Sequence, residues 1–310
     1  MDEKDLLERI DKLNIWKRGA ERAPHKPLLL LLVLARLQRG ESRIAHYERD
    51  IRGQLRKLLI DFGPSRKAYH PENPFWYLRN DELWEIPDKE LAEIRGRGQV
   101  GGPTDRLLRD ANARGGLPPA AHRLLRRNPT LVREAARRLL DGHFPTTLHE
   151  SILDAIGLSL TAHDGVDERR PRKPDFRAKV LTAYERRCAI CDFDMRIEDS
   201  LVALDAAHIR WHARGGPDEV PNGLALCTFH HVTFDRGAIG LEPASDGFRV
   251  LVSDAANGQS QPFRQLLECR GQLLRAPQRR EQRPAQNFVD WHRSQVFRGS
   301  PRDPRGSAQT

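Results

Sequence analysis

The sequence predicts a mainly α-helical protein with small β elements. It reads as a helical N-terminal domain that includes a hairpin, followed by a C-terminal strand–strand–helix unit built on a zinc knuckle. Three observations carry this reading. The first half of the 310-residue chain repeats apolar residues at helical spacing between Pro and Gly stops. The second half holds two ligand pairs, Cys188-x2-Cys191 and Cys227-x2-His230, separated by a longer loop. A stretch rich in charge and proline, at about 163–174, lies between the halves. The expected domains are 1–165 and 166–298, followed by a disordered tail at 299–310.

Residues 3–16 read as an amphipathic helix that buries Leu6, Leu7, Ile10 and Leu13, with Ile15 and Trp16 at its end. Pro24 and Pro27 mark the entry to a second helix, apolar nearly all round and therefore buried. A third helix over 47–62 stops at Gly63-Pro64. The segment "AYHPENPFWYLRNDELWEI" reads as a proline-studded loop and a hairpin, with strands at 75–79 and 82–86 turned at Asn80-Asp81. Residues 95–102 read as a Gly-rich basic loop, and helices follow at 104–112, 119–127, 129–140 and 147–156. In the second half, "LVALDAAHIRWHARGGPDEVPNGLALCTFHHVTFDRG" reads as strand, loop, strand, then a short helix opening near Thr228.

A net charge of +9 favours a polyanionic partner, and both halves are mildly basic. The longest apolar run, 28–35, falls far short of a membrane span, so no membrane association is expected. The acidic, amphipathic N-terminus does not read as a signal peptide. Three of the four cysteines stand at metal spacing, which fits a reducing cytoplasm better than a disulfide scaffold.

Cys188, Cys191, Cys227 and His230 can close a tetrahedral Zn²⁺ site. Such a knuckle alone is more often a structural or binding module than an enzyme. Here, however, His208, Asn222 and His231 are left over, and their most economical use is chemistry. Cys269 has no partner at ligand spacing and reads as a buried free thiol. His212 sits in a Gly-Pro-rich loop and reads as solvated.

The order His208, Asn222, His231 around the knuckle resembles the HNH nucleases of the ββα-metal class, over roughly residues 175–240. The resemblance implies that His208 is the general base that activates water against a DNA phosphodiester, a role that suits a neutral imidazole. It implies that Asn222 holds the loop that aims His208. It also implies that His231 ligates a catalytic Mg²⁺ or Mn²⁺. Many HNH enzymes carry an acidic or histidine ligand just before the base, and here that position is Ala207. Asp235, four residues after His231 on the same helix face, is then the preferred second ligand. Asp205, one pleat before Ala207, is the weaker candidate.

The words "APHKPLLLL", "FGP" and "YHPENPFWYLRNDELWEI", with "RPAQNFVDWHRSQVF" near the C-terminus, resemble the McrA-like modification-dependent restriction endonucleases. These join a sulfur-binding domain to an HNH module and cut phosphorothioated DNA. The resemblance implies a double-stranded, phosphorothioated DNA partner and a sulfur cavity lined by His70, Pro71 and Pro74. Sulfur in place of a non-bridging oxygen is larger and a poorer hydrogen-bond acceptor. Rigid proline rings without an N–H would favour it over an oxygen that loses its solvation. Arg22, His25 and Lys26 stand at the entry of the buried helix, where free N–H groups favour anions. They would hold the backbone or a base edge, with Arg79, Arg95 and Arg97 as groove candidates. One HNH site cuts one strand, so a double-strand break needs two sites or sequential nicking, and a homodimer, or at least paired molecules on DNA, is expected. Two alternatives stay open. One is an HNH endonuclease that reads methylated cytosine or plain sequence, although no aromatic cluster suited to a flipped base stands out. The other is a zinc-stabilised DNA-binding repressor with an inactive nuclease fold, which Ala207 favours.

Overall fold

The computed structural model describes residues 1–15, 23–64, 66–96, 102–160, 174–198 and 200–303. It divides into two units, Met1–Asp167 and Glu168–Thr310. Among the described residues, no helix is long and apolar enough to cross a membrane.

A helix buried over its middle ten residues organises the N-terminal unit. The first helix, α1 (Glu3–Asp11), is capped by Asp2, whose carboxylate accepts from Asp5 N at 2.8 Å. The second, α2 (His25–Gln38), buries every side chain from Pro27 to Arg36. This is the location its all-round apolar sequence demands. A three-residue strand β1 (Ile44–His46) leads into a π-helical turn over Tyr47–Arg52 and then α3 (Gly53–Phe62). Thus the expected helix over 47–62 opens with a widened turn. Next come α4 (Glu72–Tyr77), a 3-10 turn over Leu78–Asp81, and α5 (Asp88–Gly96). The helix α6 (Asp105–Asp110) is capped by Thr104. Strand β2 (Arg114–Gly116) pairs antiparallel with β1. The helices α7 (Pro119–Arg127), α8 (Pro129–His143) and α9 (Thr146–Ile156) complete the unit, with α3, α4 and α8 packed on α2.

The expected hairpin over 75–86 is replaced by α4 and the 3-10 turn. Phe75 and Leu78, three apart, are both fully buried, which is a helical periodicity. Pro71 and Pro74 fall at the start of α4, where a missing N–H costs nothing. Glu82, at a φ of 54°, ends the turn in a left-handed conformation, and Glu85 makes only a single bridge to Gly116.

The C-terminal unit begins with α10 (Pro174–Ala183) and a short hairpin, β3 (Arg196–Ile197) with β4 (Ser200–Leu201). The central hairpin follows, β5 (Leu204–His208) with β6 (Gly223–Cys227), and then α11 (Thr228–Asp235). A second hairpin, β7 (Ile239–Ala244) with β8 (Gly247–Val252), and the helices α12 (Gln261–Glu268) and α13 (Gln286–Gln295) close the unit. Val180, Tyr184, Leu224, Leu226, Phe234 and Val252 form its core. Residues 299–303, expected to be disordered, are ordered against the end of β8. Ser300 N donates to Asp254 Oδ1 at 2.9 Å, and Arg302 N donates to Val252 O at 2.8 Å. Most of the expected linker, 163–173, and the rest of the tail, 304–310, lie outside the described residues.

Candidate nuclease centre and DNA-reading surface

One antiparallel ladder carries both metal knuckle and candidate base. Its register runs from Leu204 opposite Cys227 to His208 opposite Gly223. Cys227 ends β6 and caps α11, whose first turn presents His230. Cys188 and Cys191 come from the turn after α10. That turn is held by Cys188 N donating to Phe193 O and Ala189 N donating to Ala225 O on β6. The four ligand atoms all lie within 4.8 Å of one another. His230 Nδ1 is 3.5 Å from Cys188 Sγ and 3.3 Å from Cys227 Sγ, and Cys191 Sγ is 4.0 Å from Cys227 Sγ. Zinc bonds of about 2.0–2.3 Å in a tetrahedron separate the ligand atoms by roughly 3.5–3.8 Å, so the donor set fits that ion.

The electrostatics of the knuckle are those of groups competing for protons. Hydrogen bonds from Cys191 and Cys227 push the Cys188 thiol far down, while the same network pushes the Cys191 thiol up. Burial pulls His230 down, but its hydrogen bonds to the sulfurs, Cys188 first, outweigh that and raise it to about 11. A divalent cation held by these four groups would resolve this competition by displacing thiol protons. Cys269, the expected free thiol, is buried. Its Sγ donates to Gln265 O at 3.3 Å and lies 4.0 Å from His230 Nε2, behind the ligand histidine.

At the other end of the ladder, His208 stacks face to face on Phe176 of α10, with ring centroids 4.0 Å apart and planes 12° apart. Gly223, opposite His208, permits this approach, because a Cβ there would collide with Val180 and meet Phe176 at 3.1 Å. Asn222 is fully buried and clamps the loop between the strands. Its Oδ1 accepts from Arg210 N at 2.8 Å, and its Nδ2 donates to Arg210 O and Pro217 O, both at 3.0 Å. His208 Nε2 lies 3.0 Å from Asp218 Oδ1. Asp218 carries no motif of its own in the sequence. Its only signal was the loop word Gly-Gly-Pro-Asp, four residues before Asn222. His212 is largely exposed, as expected, with its ring 5.8 Å from that of His208.

His231 and Asp235 meet on α11 as the i, i+4 spacing predicts, with Nε2 3.3 Å from Oδ2 and both side chains nearly buried. The other oxygen of Asp235 accepts from Trp211 Nε1 at 3.0 Å, and Trp211 packs edge-on against Trp291 of α13. Both carboxylate oxygens of Asp235 are therefore engaged inside the protein. Asp205 is engaged too, accepting from Arg177 Nε at 2.8 Å. Among the described residues, the Cys₃His set is the one convergent group of three or more ligating side chains.

The N-terminal candidates separate sharply. His25 opens α2 half-buried, and desolvation, aided by the positive fields of His70 and Arg66, lowers it to about 4. It is therefore neutral at pH 7 and offers a hydrogen bond, not a cation, to an anion. Arg66, which the sequence reading passed over, belongs to this cluster. His70 is half exposed, with Nδ1 2.8 Å from the buried Glu72 carboxylate. Pro71 and Pro74 are buried. Lys26 does not face outward. Its Nζ donates to Asp81 Oδ2 at 2.5 Å and to Asn14 O at 2.6 Å, which ties α2 to the 3-10 turn. Arg79 stacks 3.7 Å over Trp76, which is only half-buried. Arg95 lies near the end of α5, and Arg22 and Arg97 fall outside the described residues.

A Cys₃His knuckle and a His-Asn-His set on strand–loop–strand–helix thus share the C-terminal unit, and the N-terminal unit is helical. The family model described as "ScoMcrA-like, DNA sulfur-binding domain" matches residues 3–161, just over half the chain, and the model described as "HNH endonuclease" matches residues 188–242. The chain belongs to the ScoMcrA-like DNA sulfur-binding domain family and joins that domain to an HNH endonuclease domain. Among solved structures, the chain is similar to the sulfur-binding domain of ScoMcrA complexed with phosphorothioated DNA. The identity is 23%, over 49% of this chain and 94% of that one, with a TM-score of 0.41. The sulfur-binding domain of SprMcrA, also complexed with phosphorothioated DNA, matches at 23% identity over 51% and 95%, TM-score 0.41. The Type IV phosphorothioation-dependent restriction endonuclease ScoMcrA matches at 25% identity over 54% of this chain, TM-score 0.41, and the match spans only 30% of that enzyme. No curated protein matches the chain.

Proposed function

We propose that the protein is a modification-dependent restriction endonuclease. Its first unit binds phosphorothioated double-stranded DNA, and its second hydrolyses a phosphodiester. The observation that carries this reading is the β5–β6 ladder. It fixes a Cys₃His knuckle at one end and His208 at the other, in a chain whose remaining half is a DNA sulfur-binding domain.

In this reading Cys188, Cys191, Cys227 and His230 hold a structural Zn²⁺. His208 takes a proton from water as the water oxygen bonds to phosphorus and the bond from phosphorus to the sugar oxygen breaks. Asn222 holds the loop around the base. A catalytic Mg²⁺ or Mn²⁺ would neutralise charge on the phosphate. His231 is the residue to hold it, with Asp235 fixing the imidazole from behind through Nε2, a common arrangement for metal-binding histidines. With Ala207 non-ligating and Asp235 engaged, the rest of the coordination would fall to water and phosphate oxygens, which would suit Mg²⁺. Two copies acting together would give a double-strand break. Three thiolate ligands suit a reducing cytoplasm.

His70, Pro71 and Pro74 are the proposed sulfur seat, with His25 and Arg66 in the same electrostatic cluster as His70 and the Trp76-stacked Arg79 as a groove contact. Lys26 has the structural role described above. Without added Mg²⁺, the full chain should bind a phosphorothioated duplex more tightly than the same duplex unmodified. Pro74→Ser should weaken the thioated complex selectively, by about 1–3 kcal/mol, because a hydroxyl replaces part of an apolar wall. The unmodified duplex controls for folding, since a misfolded domain would lose both. Equal affinity of the wild-type chain for the two duplexes contradicts the sulfur reading.

A further inference from the structure

The candidate nuclease centre contains one carboxylate that the chemistry above leaves unused. Asp218 lies in the loop joining β5 to β6, and its Oδ1 is 3.0 Å from His208 Nε2. The two side chains are 19% and 25% exposed, so water dilutes their interaction only in part.

Three features make this contact part of the fold. The stack on Phe176 fixes the plane of the His208 ring, and with it the direction of Nε2. The buried Asn222 amide donates to Pro217 O, the carbonyl immediately before Asp218, and so pins the backbone that carries the carboxylate. Gly216 lets the loop cross itself, because a Cβ there would collide with Arg210 O and meet Asn222 Nδ2 at 2.8 Å. Asn222 therefore places Asp218 as firmly as it places the strand end bearing His208. Among the described residues, His208, His212 and Asp218 do not converge as a metal-ligand set, whereas the Cys₃His group does.

We propose that Asp218 is the positioning residue of the nuclease centre. Its carboxylate accepts the Nε2–H of His208, which selects that tautomer and leaves the lone pair on Nδ1 to receive the proton of water. When Nδ1 takes that proton, the imidazolium remains paired with the Asp218 carboxylate, and no proton needs to pass to the carboxylate. The inference rests on the reading of His208 as the base, and it assigns that role to Nδ1.

Two arms test it on the full chain. In protein labelled with ¹⁵N-histidine, free of DNA and added Mg²⁺, the His208 ring is assigned by its loss in His208→Gln. The wild type should show a protonated Nε2 and an unprotonated Nδ1, and Asp218→Ala should show a tautomer mixture. In single-turnover cleavage of a thioated duplex at saturating protein, Asp218→Ala should slow the chemical step by about 10–10²-fold with DNA affinity unchanged. This is less than for a fully buried dyad, because Asp218 is partly solvated. Asp218→Glu should recover part of the rate, and the near-isosteric Asp218→Asn serves where the alanine variant is unstable. A wild-type ring protonated on Nδ1 overturns the proposal, as does an unchanged rate in folded Asp218→Ala and Asp218→Asn. The tautomer arm needs no activity. A wild type that fails to cut would contradict the nuclease reading while the dyad itself is still decided.

Discussion

His208→Ala should abolish cleavage while leaving the fold and DNA affinity intact. The proposed base acts only as water is deprotonated, so its loss should cost at least ~10²-fold in the rate of the chemical step. Binding should persist because the sulfur-binding domain occupies residues 3–161, outside the nuclease unit. The side chain ends a five-residue strand and stacks on Phe176, so alanine removes a stacking partner from the rim of the core without opening its centre. Single-turnover rates with thioated duplex, beside binding isotherms for the same duplex, measure the two effects separately. Wild-type cutting by His208→Ala removes the assignment of the base.

Loss of the knuckle should be the most destructive change to stability. Cys188→Ala, or chelation of the ion, should unfold the C-terminal unit and leave the N-terminal unit folded. Structural zinc in small domains contributes apparent folding free energies of about 10–16 kcal/mol, which rivals the total stability of about 5–15 kcal/mol of an ordinary domain. The reach of the damage follows from the contacts. Ala189 N bonds to Ala225 O on β6, Arg275 N bonds to Ala189 O, and the ligand His230 belongs to the helix that also carries His231 and Asp235. Calorimetry of the full chain should show one of two transitions lost on chelation, with elemental analysis of the untreated protein giving one zinc per chain. A metal-stripped chain that keeps both transitions contradicts the account.

What was legible in the sequence was what depends on neighbours along the chain. The Cys-x2-Cys and Cys-x2-His pairs, the i, i+4 pair His231/Asp235, and the proline-started helix α7 all follow from local spacing. The second half of the central hairpin was legible because Asn222-Gly223 follows a proline turn and precedes an unbroken apolar strand. What was not legible depends on residues brought together from afar. Lys26 reads as a phosphate contact until Asp81, 55 positions away, is seen to take its charge. Cys269 reads correctly as a buried free thiol, but its place behind His230 depends on α12. Asp218 gained meaning only when the loop doubled back to His208. The expected hairpin at 75–86 rests on its four aromatic residues, which outweigh the helical spacing of Phe75 and Leu78 in the sequence. Tertiary burial reversed that weighting.

The central claim is that sulfur in the DNA backbone licenses cutting by the HNH centre. The direct measurement incubates matched duplexes, identical in sequence and differing only in one phosphorothioate, with zinc-loaded full chain and Mg²⁺ or Mn²⁺. The account predicts cleavage confined to the thioated duplex and abolished by His208→Ala. Equal cutting of the two duplexes contradicts recognition of sulfur and moves a sequence or methylcytosine reader ahead. Tight binding of the thioated duplex without any cutting, in either metal, contradicts the nuclease and leaves a sulfur-reading DNA-binding protein.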